Sequence, residues 1–222
     1  MIFDIGANYG TFTEAALKAG HKVIAVEPAP RVFSRLVRSF LYTPNVVPLK
    51  VAVSDKDNET VDFYEAEEDG LSTLNKEWLT AETMPYAGKP FRTIQVTTIT
   101  IDSLVKTYGI PDLIKIDVEG GEWLVFRGMT KKYGVVAFEW IYETSTEHEM
   151  QLDYLYSLGY REYAPQFIVN HLEEPTEWFP LKESNPFALL YWIVDHEEEW
   201  KAEGWKEANL RPTADAGMLW VR

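Results

Sequence analysis

The stretch Asp4-Ile5-Gly6-Ala7-Asn8-Tyr9-Gly10 (DIGANYG) decides how this chain is read. It joins a short apolar run, residues 1–5 (MIFDI), to a helical repeat from Thr11 to Ala19. In that repeat Phe12, Ala15, Ala16 and Ala19 share one face, and Gly20 is the stop. A strand, a glycine-containing turn and a helix in that order open an α/β sheet. Glycines let the backbone approach a ligand closely, and the free N–H groups at the helix start attract a carboxylate or phosphate. In open α/β sheets such ligands lie outside the carboxyl ends of the strands, where the strand order reverses.

Outward from this turn the alternation continues. Residues 22–26 (KVIAV) predict a second strand. Pro30 opens a helix in which Val32, Phe33, Leu36, Val37, Phe40 and Leu41 recur every three to four residues. Residues 46–53 (VVPLKVAV) predict a third strand, at a sheet edge because Pro48 has no N–H to donate. Residues 55–100 break the pattern: β-rich runs at 60–66 and 92–101 flank a polar stretch with Gly and Pro, an inserted hairpin or flap. Strands are then expected at 112–117 (DLIKID) and 134–140 (GVVAFEW). A helix runs from near Thr146, spaced from Glu149 as in a capping box, to Gly159. Strands at 160–171 and 187–194 precede a polar, Trp-containing tail. The expectation is one domain over residues 1–222, with a Rossmann-like, mostly parallel sheet of about seven strands, helices on both faces and a late antiparallel strand.

Composition narrows the function. The 222 residues suit one α/β core, and the absence of cysteine excludes disulfides and thiolate metal sites. No apolar run approaches ~20 residues and no signal-like segment opens the chain, so a soluble cytoplasmic protein without membrane insertion is expected. The net charge of −14 repels phosphate backbones, which argues against a nucleic-acid partner. Arg31, Arg35 and Arg38 form the densest basic cluster and read as a solvated helix face.

Glu27 ends the second predicted strand, where a carboxylate can accept both hydroxyls of an adenosine ribose. That arrangement serves nicotinamide dinucleotides and S-adenosylmethionine alike. The dinucleotide fingerprint needs a second glycine where Asn8 stands. Asp4, beside the turn, suits an ammonium and sulfonium and would repel a pyrophosphate. S-adenosylmethionine is therefore the expected cofactor.

A second segment, Leu113 to Trp123 (LIKIDVEGGEW), puts Lys115 and Asp117 on one strand face. A lysine inside a central strand is costly unless paired, so Lys115 is expected to neutralise carboxylates. Asp117, Glu119 and Glu139 should emerge at the same rim, as a general base, a substrate clamp, a divalent-metal site or a structural ion-pair network. His148 and His171 are weaker candidates for that rim.

Several separated motifs occur in the order and spacing of one family. DIGANYGTFT is followed by AVEPAP (Ala25 to Pro30), AVSD (Ala52 to Asp55), LSTL (Leu71 to Leu74), TITID (Thr98 to Asp102) and LIKIDVEGGEW. Over roughly residues 2–140 the chain resembles the FkbM family of S-adenosylmethionine-dependent methyltransferases. The resemblance implies a class I methyltransferase sheet and O-methylation of hydroxyls on sugars or polyketide-type natural products. It implies that Asp4, Gly6, Asn8, Gly10 and Thr13 line the methionine end of the cofactor, with Glu27 and Pro28 at the ribose. Ala52 and Val53 would lie near adenine, and Ser72 and Thr73 would come from a flap over the site. The first strand begins at residue 2, so an N-terminal substrate-binding extension is expected to be absent or removed. Selectivity for the acceptor is expected in residues 140–222, where the likeness fades. The rival functions are methylation of a protein or nucleic acid, and a cofactor-binding module without activity.

Overall fold

A computed structural model describes residues 1–84, 86–140, 145–166, 175, 178–181 and 217–222. The DIGANYG turn lies between strand β1 (Ile2–Ile5) and helix α1 (Thr11–Lys18). Strand β2 (Val23–Val26), helix α2 (Pro30–Ser39) and strand β3 (Val46–Leu49) follow. Strand β1 pairs in parallel with β2, and β2 with β3. Pro48 sits on β3, which is the sheet edge, as its missing N–H requires.

The expected single strand over 46–53 is two. Its second part, β4 (Ala52–Val53), leaves the main sheet and pairs with β6 (Phe91–Ile99), which is antiparallel to β5 (Thr60–Ala66). These make a separate three-stranded sheet, the expected flap, and the flap also carries a short helix, α3 (Lys76–Thr80). The predicted strand over 92–101 ends at Ile99. Thr100 instead caps helix α4 (Ile101–Tyr108) by accepting the Ser103 N–H, so the TITID motif is a helix start.

Strand β7 (Leu113–Ile116) pairs in parallel with β1 on one side and with β8 (Val135–Trp140) on the other. Helix α5 (Glu122–Arg127) follows β7, and α6 (Ser145–Ser157) follows β8. Strand β9 (Glu162–Gln166) pairs with the short β10 (Phe179–Pro180). The chain's end corrects the expected polar tail: β11 (Gly217–Val221) inserts between β8 and β9, antiparallel to both. Among the described residues the main sheet thus has eight strands, in the order β10-β9-β11-β8-β7-β1-β2-β3. The strand expected at 187–194, His171 and the side chain of His148 lie outside the described residues, as does most of the expected selectivity region.

The pleat sorts the central strands onto two cores. Phe3, Ile5, Ile24, Val26, Ile114 and Ile116 belong to one, with Leu104 and Phe126 from α4 and α5. Ile2, Val23, Ala25 and Leu113 belong to the other, under Phe12, Ala16 and Leu36 from α1 and α2. Fully burying each such aliphatic or aromatic side chain contributes about 1.5–3 kcal/mol, so the sheet is held mainly by these two layers. Among the described residues no helix is long and apolar enough to cross a membrane.

Candidate active site

Asp4 and Lys115 fall on the second face, and the register of β1 and β7 makes them direct neighbours. Both are almost completely buried, between Ala25 on β2 and Ala137 on β8. Two opposite charges there are tolerable only if their remaining polar groups are met. Thr13 Oγ1 on α1 donates to Asp4 Oδ2 at 2.6 Å. Asp4 Oδ1 accepts no hydrogen bond among the described residues and faces Lys115 Nζ at 3.5 Å. Lys115 Nζ also donates to the Gly6 carbonyl at 3.1 Å and meets Asp117 Oδ2 at 3.1 Å. Burial pulls the lysine pKa down, but the charges of Asp117 and Asp4 outweigh it and hold the ammonium protonated above its usual range. One ammonium thus ties the first turn to the loop after β7, the neutralising role its sequence position implies.

The turn itself depends on Gly6. Its φ is +76°, and a Cβ there would lie 1.8 Å from the Asp117 carbonyl oxygen. The backbone continues in the left-handed region at Asn8, φ +48°, which aims its N–H at Glu27 Oε2, 3.0 Å away. Glu27 Oε1 accepts the Ala29 N–H at 2.8 Å, just before α2. Glu27 therefore fastens the turn to the start of α2 through one oxygen each, and a carboxylate oxygen has a second lone pair to offer. Burial raises its pKa to about 7, partly offset by the Ala29 and Asn8 N–H groups.

These elements open on a cleft at the carboxyl ends of β1, β2 and β7. Of the residues expected at the cofactor, Gly6, Asn8, Glu27, Pro28, Ala52, Val53, Ser72 and Asp117 line it. Asp4, Gly10, Thr13 and Thr73 do not. Asp4 and Thr13 are fully buried against each other, Gly10 packs toward Phe40 and Leu36, and Thr73 is buried, its Oγ1 accepting the Asn75 N–H. The sequence reading missed the apolar wall of Val32, Val51, Phe63 and Leu74. An apolar residue in a helix, strand or loop looks the same in the sequence whether it faces a core or a ligand.

Glu119 and Asp117 line the cleft from the β7–α5 loop. Glu139, one step beyond the Ile116–Phe138 register pair, stands beside Asp117. One oxygen from each of Asp117, Glu119 and Glu139 can be chosen so that all lie within 4.8 Å of one another. Burial first, and then repulsion by Asp117, hold the Glu119 and Glu139 carboxyls well above the usual carboxylate range. The flap docks on this loop. Trp78 Nε1 on α3 donates to Glu119 Oε2 at 3.1 Å, and Asn75 Nδ2 donates to the Gly120 carbonyl at 3.1 Å. Trp78 packs so closely that a Cβ on Gly120 would lie 2.5 Å from its ring. At the opposite end Asp69 pairs with Arg31 at 2.5 Å and approaches Arg35 at 3.7 Å, fixing the flap to α2.

Known proteins resemble this chain at several levels. Hexuronic acid methyltransferase AglP of Haloferax volcanii is 28% identical over 141 residues, 62% of this chain and 53% of AglP. The chain thus spans about half the length of that relative. The fibrillarin of Aeropyrum pernix, solved with natively bound S-adenosyl-L-methionine, is 12% identical, with a TM-score of 0.45, over all of this chain and 65% of its own. A SAM-dependent methyltransferase from Archaeoglobus fulgidus is 15% identical, with a TM-score of 0.42, over all of this chain and 85% of its own. The family described as Methyltransferase FkbM domain matches residues 4–162, which include the turn, the flap and all three rim carboxylates. Matched over most of its length, from the Asp4 turn to the first residue of β9, the chain belongs to the FkbM methyltransferase family.

Proposed function

We propose that the chain transfers the methyl group of S-adenosylmethionine to a hydroxyl of a small molecule, a sugar or glycan before other natural products. The observation that carries this reading is one cleft lined by Glu27, with two backbone N–H partners, at one end and by the rim carboxylates Asp117 and Glu119 at the other. The residues fit the cofactor. Gly6 leaves no room for a side chain, which keeps the turn open to backbone contact, and the buried Asn8 Oδ1 at the cleft lacks a hydrogen-bond partner. Glu27 has lone pairs for two ribose hydroxyls, and Val32, Ala52, Val53 and Phe63 form an apolar wall for adenine. AglP acts on a hexuronic acid, which favours a carbohydrate acceptor here.

When bound, the cofactor supplies an electrophilic methyl group on a sulfonium. The chain's own contribution is positional: Lys115 holds the Gly6 turn and Asp117 at fixed separation, and holding donor and acceptor in line removes much of the entropic barrier. Asp117 takes the proton that the acceptor oxygen releases, with its Oδ2 anchored on Lys115. Lys115 is a positioning residue, because its ammonium stays charged and already has three oxygen neighbours.

The test is methyl transfer from labelled S-adenosylmethionine to a panel of free and nucleotide-linked sugars, with melting temperature measured against S-adenosylhomocysteine and NAD. Labelled product and stabilisation by S-adenosylhomocysteine alone are expected. Stabilisation by NAD alone would end the methyltransferase reading, and cofactor binding without any acceptor would favour a binding module.

A further inference from the structure

Among the described residues no hydrogen bond or ion pair reaches the carboxylate of Glu139, although the residue is only 9% exposed. It faces Asp117 and Glu119, both of them cleft residues. We propose that this rim is a site for one hard divalent cation of the Mg²⁺ or Mn²⁺ kind, held by Asp117, Glu119 and Glu139.

The geometry suits a single ion. Metal–oxygen bonds of about 2.0–2.6 Å place the oxygens of one coordination shell within about 5 Å of each other, and the three carboxylates offer oxygens within 4.8 Å. An all-carboxylate set without histidine or cysteine selects Mg²⁺, Mn²⁺ or Ca²⁺ over zinc or copper. Lys115 does not do the neutralising for the whole cluster, because its ammonium is committed to Asp4, Asp117 and the Gly6 carbonyl. Glu119 is held in place by the Trp78 indole N–H, so the flap brings one of the three ligands to the rim.

Three protein oxygens leave further positions of such an ion open toward the cleft. These are open to oxygens of water or of an acceptor, and the cation site does not itself rest on the methyl-transfer reading.

The experiment uses the full chain stripped with EDTA and then titrated with Mn²⁺, followed by electron paramagnetic resonance, and with Tb³⁺, followed by tryptophan-sensitised luminescence. Trp78 Nε1 lies 3.1 Å from Glu119 Oε2 and so serves as the antenna. One Mn²⁺ per chain is expected, bound more tightly than about 1 mM. Glu139→Gln and Glu119→Gln should each weaken it at least tenfold and dim the terbium signal, while an unchanged circular dichroism spectrum and denaturation midpoint report that both variants fold. If one variant does not fold, the other carries the measurement. Absence of Mn²⁺ binding at 1 mM, or equal binding by folded Glu139→Gln and the parent, would overturn the site. S-adenosylhomocysteine binding without Mn²⁺ binding would remove the cation and leave the methyl-transfer reading. Mn²⁺ binding without cofactor binding would do the reverse.

Discussion

The two ends of the cleft solve opposite problems. At the Gly6 turn, charge is matched by backbone: each Glu27 oxygen has an N–H partner, and Asp4 has Thr13 and Lys115. At the rim, Glu119 has one indole N–H, Glu139 has no hydrogen bond among the described residues, and the nearby ammonium is already shared. The first end is built to hold one geometry. The second is built with surplus negative charge, which stabilises nothing by itself and makes sense only with a proton, a cation or a substrate. Lys115 is the hinge of the contrast, because it touches both.

The largest effect should come from breaking the joint between the two ends. Gly6→Ala forces a Cβ into the Asp117 carbonyl and a side chain onto a left-handed backbone. It should cost about 4 kcal/mol or more of stability, visible as a lower denaturation midpoint, together with loss of cofactor binding. A well-folded Gly6→Ala protein with normal cofactor affinity would show that the two ends are independent.

Next comes the rim alone. Asp117→Asn keeps the shape but weakens the proton acceptor, and turnover should fall roughly 10²–10⁴-fold. Binding of S-adenosylhomocysteine, read by calorimetry, should change far less. Normal turnover per folded molecule would make the rim a scaffold.

The turn end alone should respond more modestly. On the proposed role of Glu27, Glu27→Ala would remove charge-assisted bonds to the ribose, each contributing ~1.5–3 kcal/mol, and should weaken cofactor binding at least about tenfold. The same carboxylate predicts a pH dependence. Burial lifts its folded-state pKa from 4.5 to about 7, so the proton is held below pH 7 and must leave before both oxygens accept hydroxyls. S-adenosylhomocysteine affinity should therefore fall as pH drops below 7, by up to about tenfold per unit, and Glu27→Gln should flatten that slope. The raised pKa also means that this group favours folding fully below pH 4.5 and loses that contribution as pH rises through 7.

The smallest effect belongs to the outer clamp of the flap. Asp69 and Arg31 are more than a third exposed, and such pairs contribute ~0–1 kcal/mol. Asp69→Ala should lower stability by less than that and move cofactor affinity by no more than about threefold. A larger loss would mean that closure of the flap, rather than the turn, governs binding.

Much of this was legible in the residues. Lys115 and Asp117 share a face because a strand alternates with period two, a property of the local chain. The turn was legible because glycine at Gly6 and Gly10 marks backbone that other residues rarely adopt, and both have positive φ. The short helices α3, α4 and α5 were not: α3 and α5, with five and six residues, carry too little periodicity to separate from a loop, and α4 starts directly where a β-rich run ends.

What the sequence determined by itself was therefore the order of elements and the parity of side chains, since both follow from interactions between near neighbours. Pairing was decided only in three dimensions. The register set Asp4 against Lys115, the flap folded Trp78 onto Glu119, and β11 entered the sheet between β8 and β9. Each joins segments tens of residues apart, and their choice depends on which apolar faces and buried charges are met together. No local pattern records that outcome.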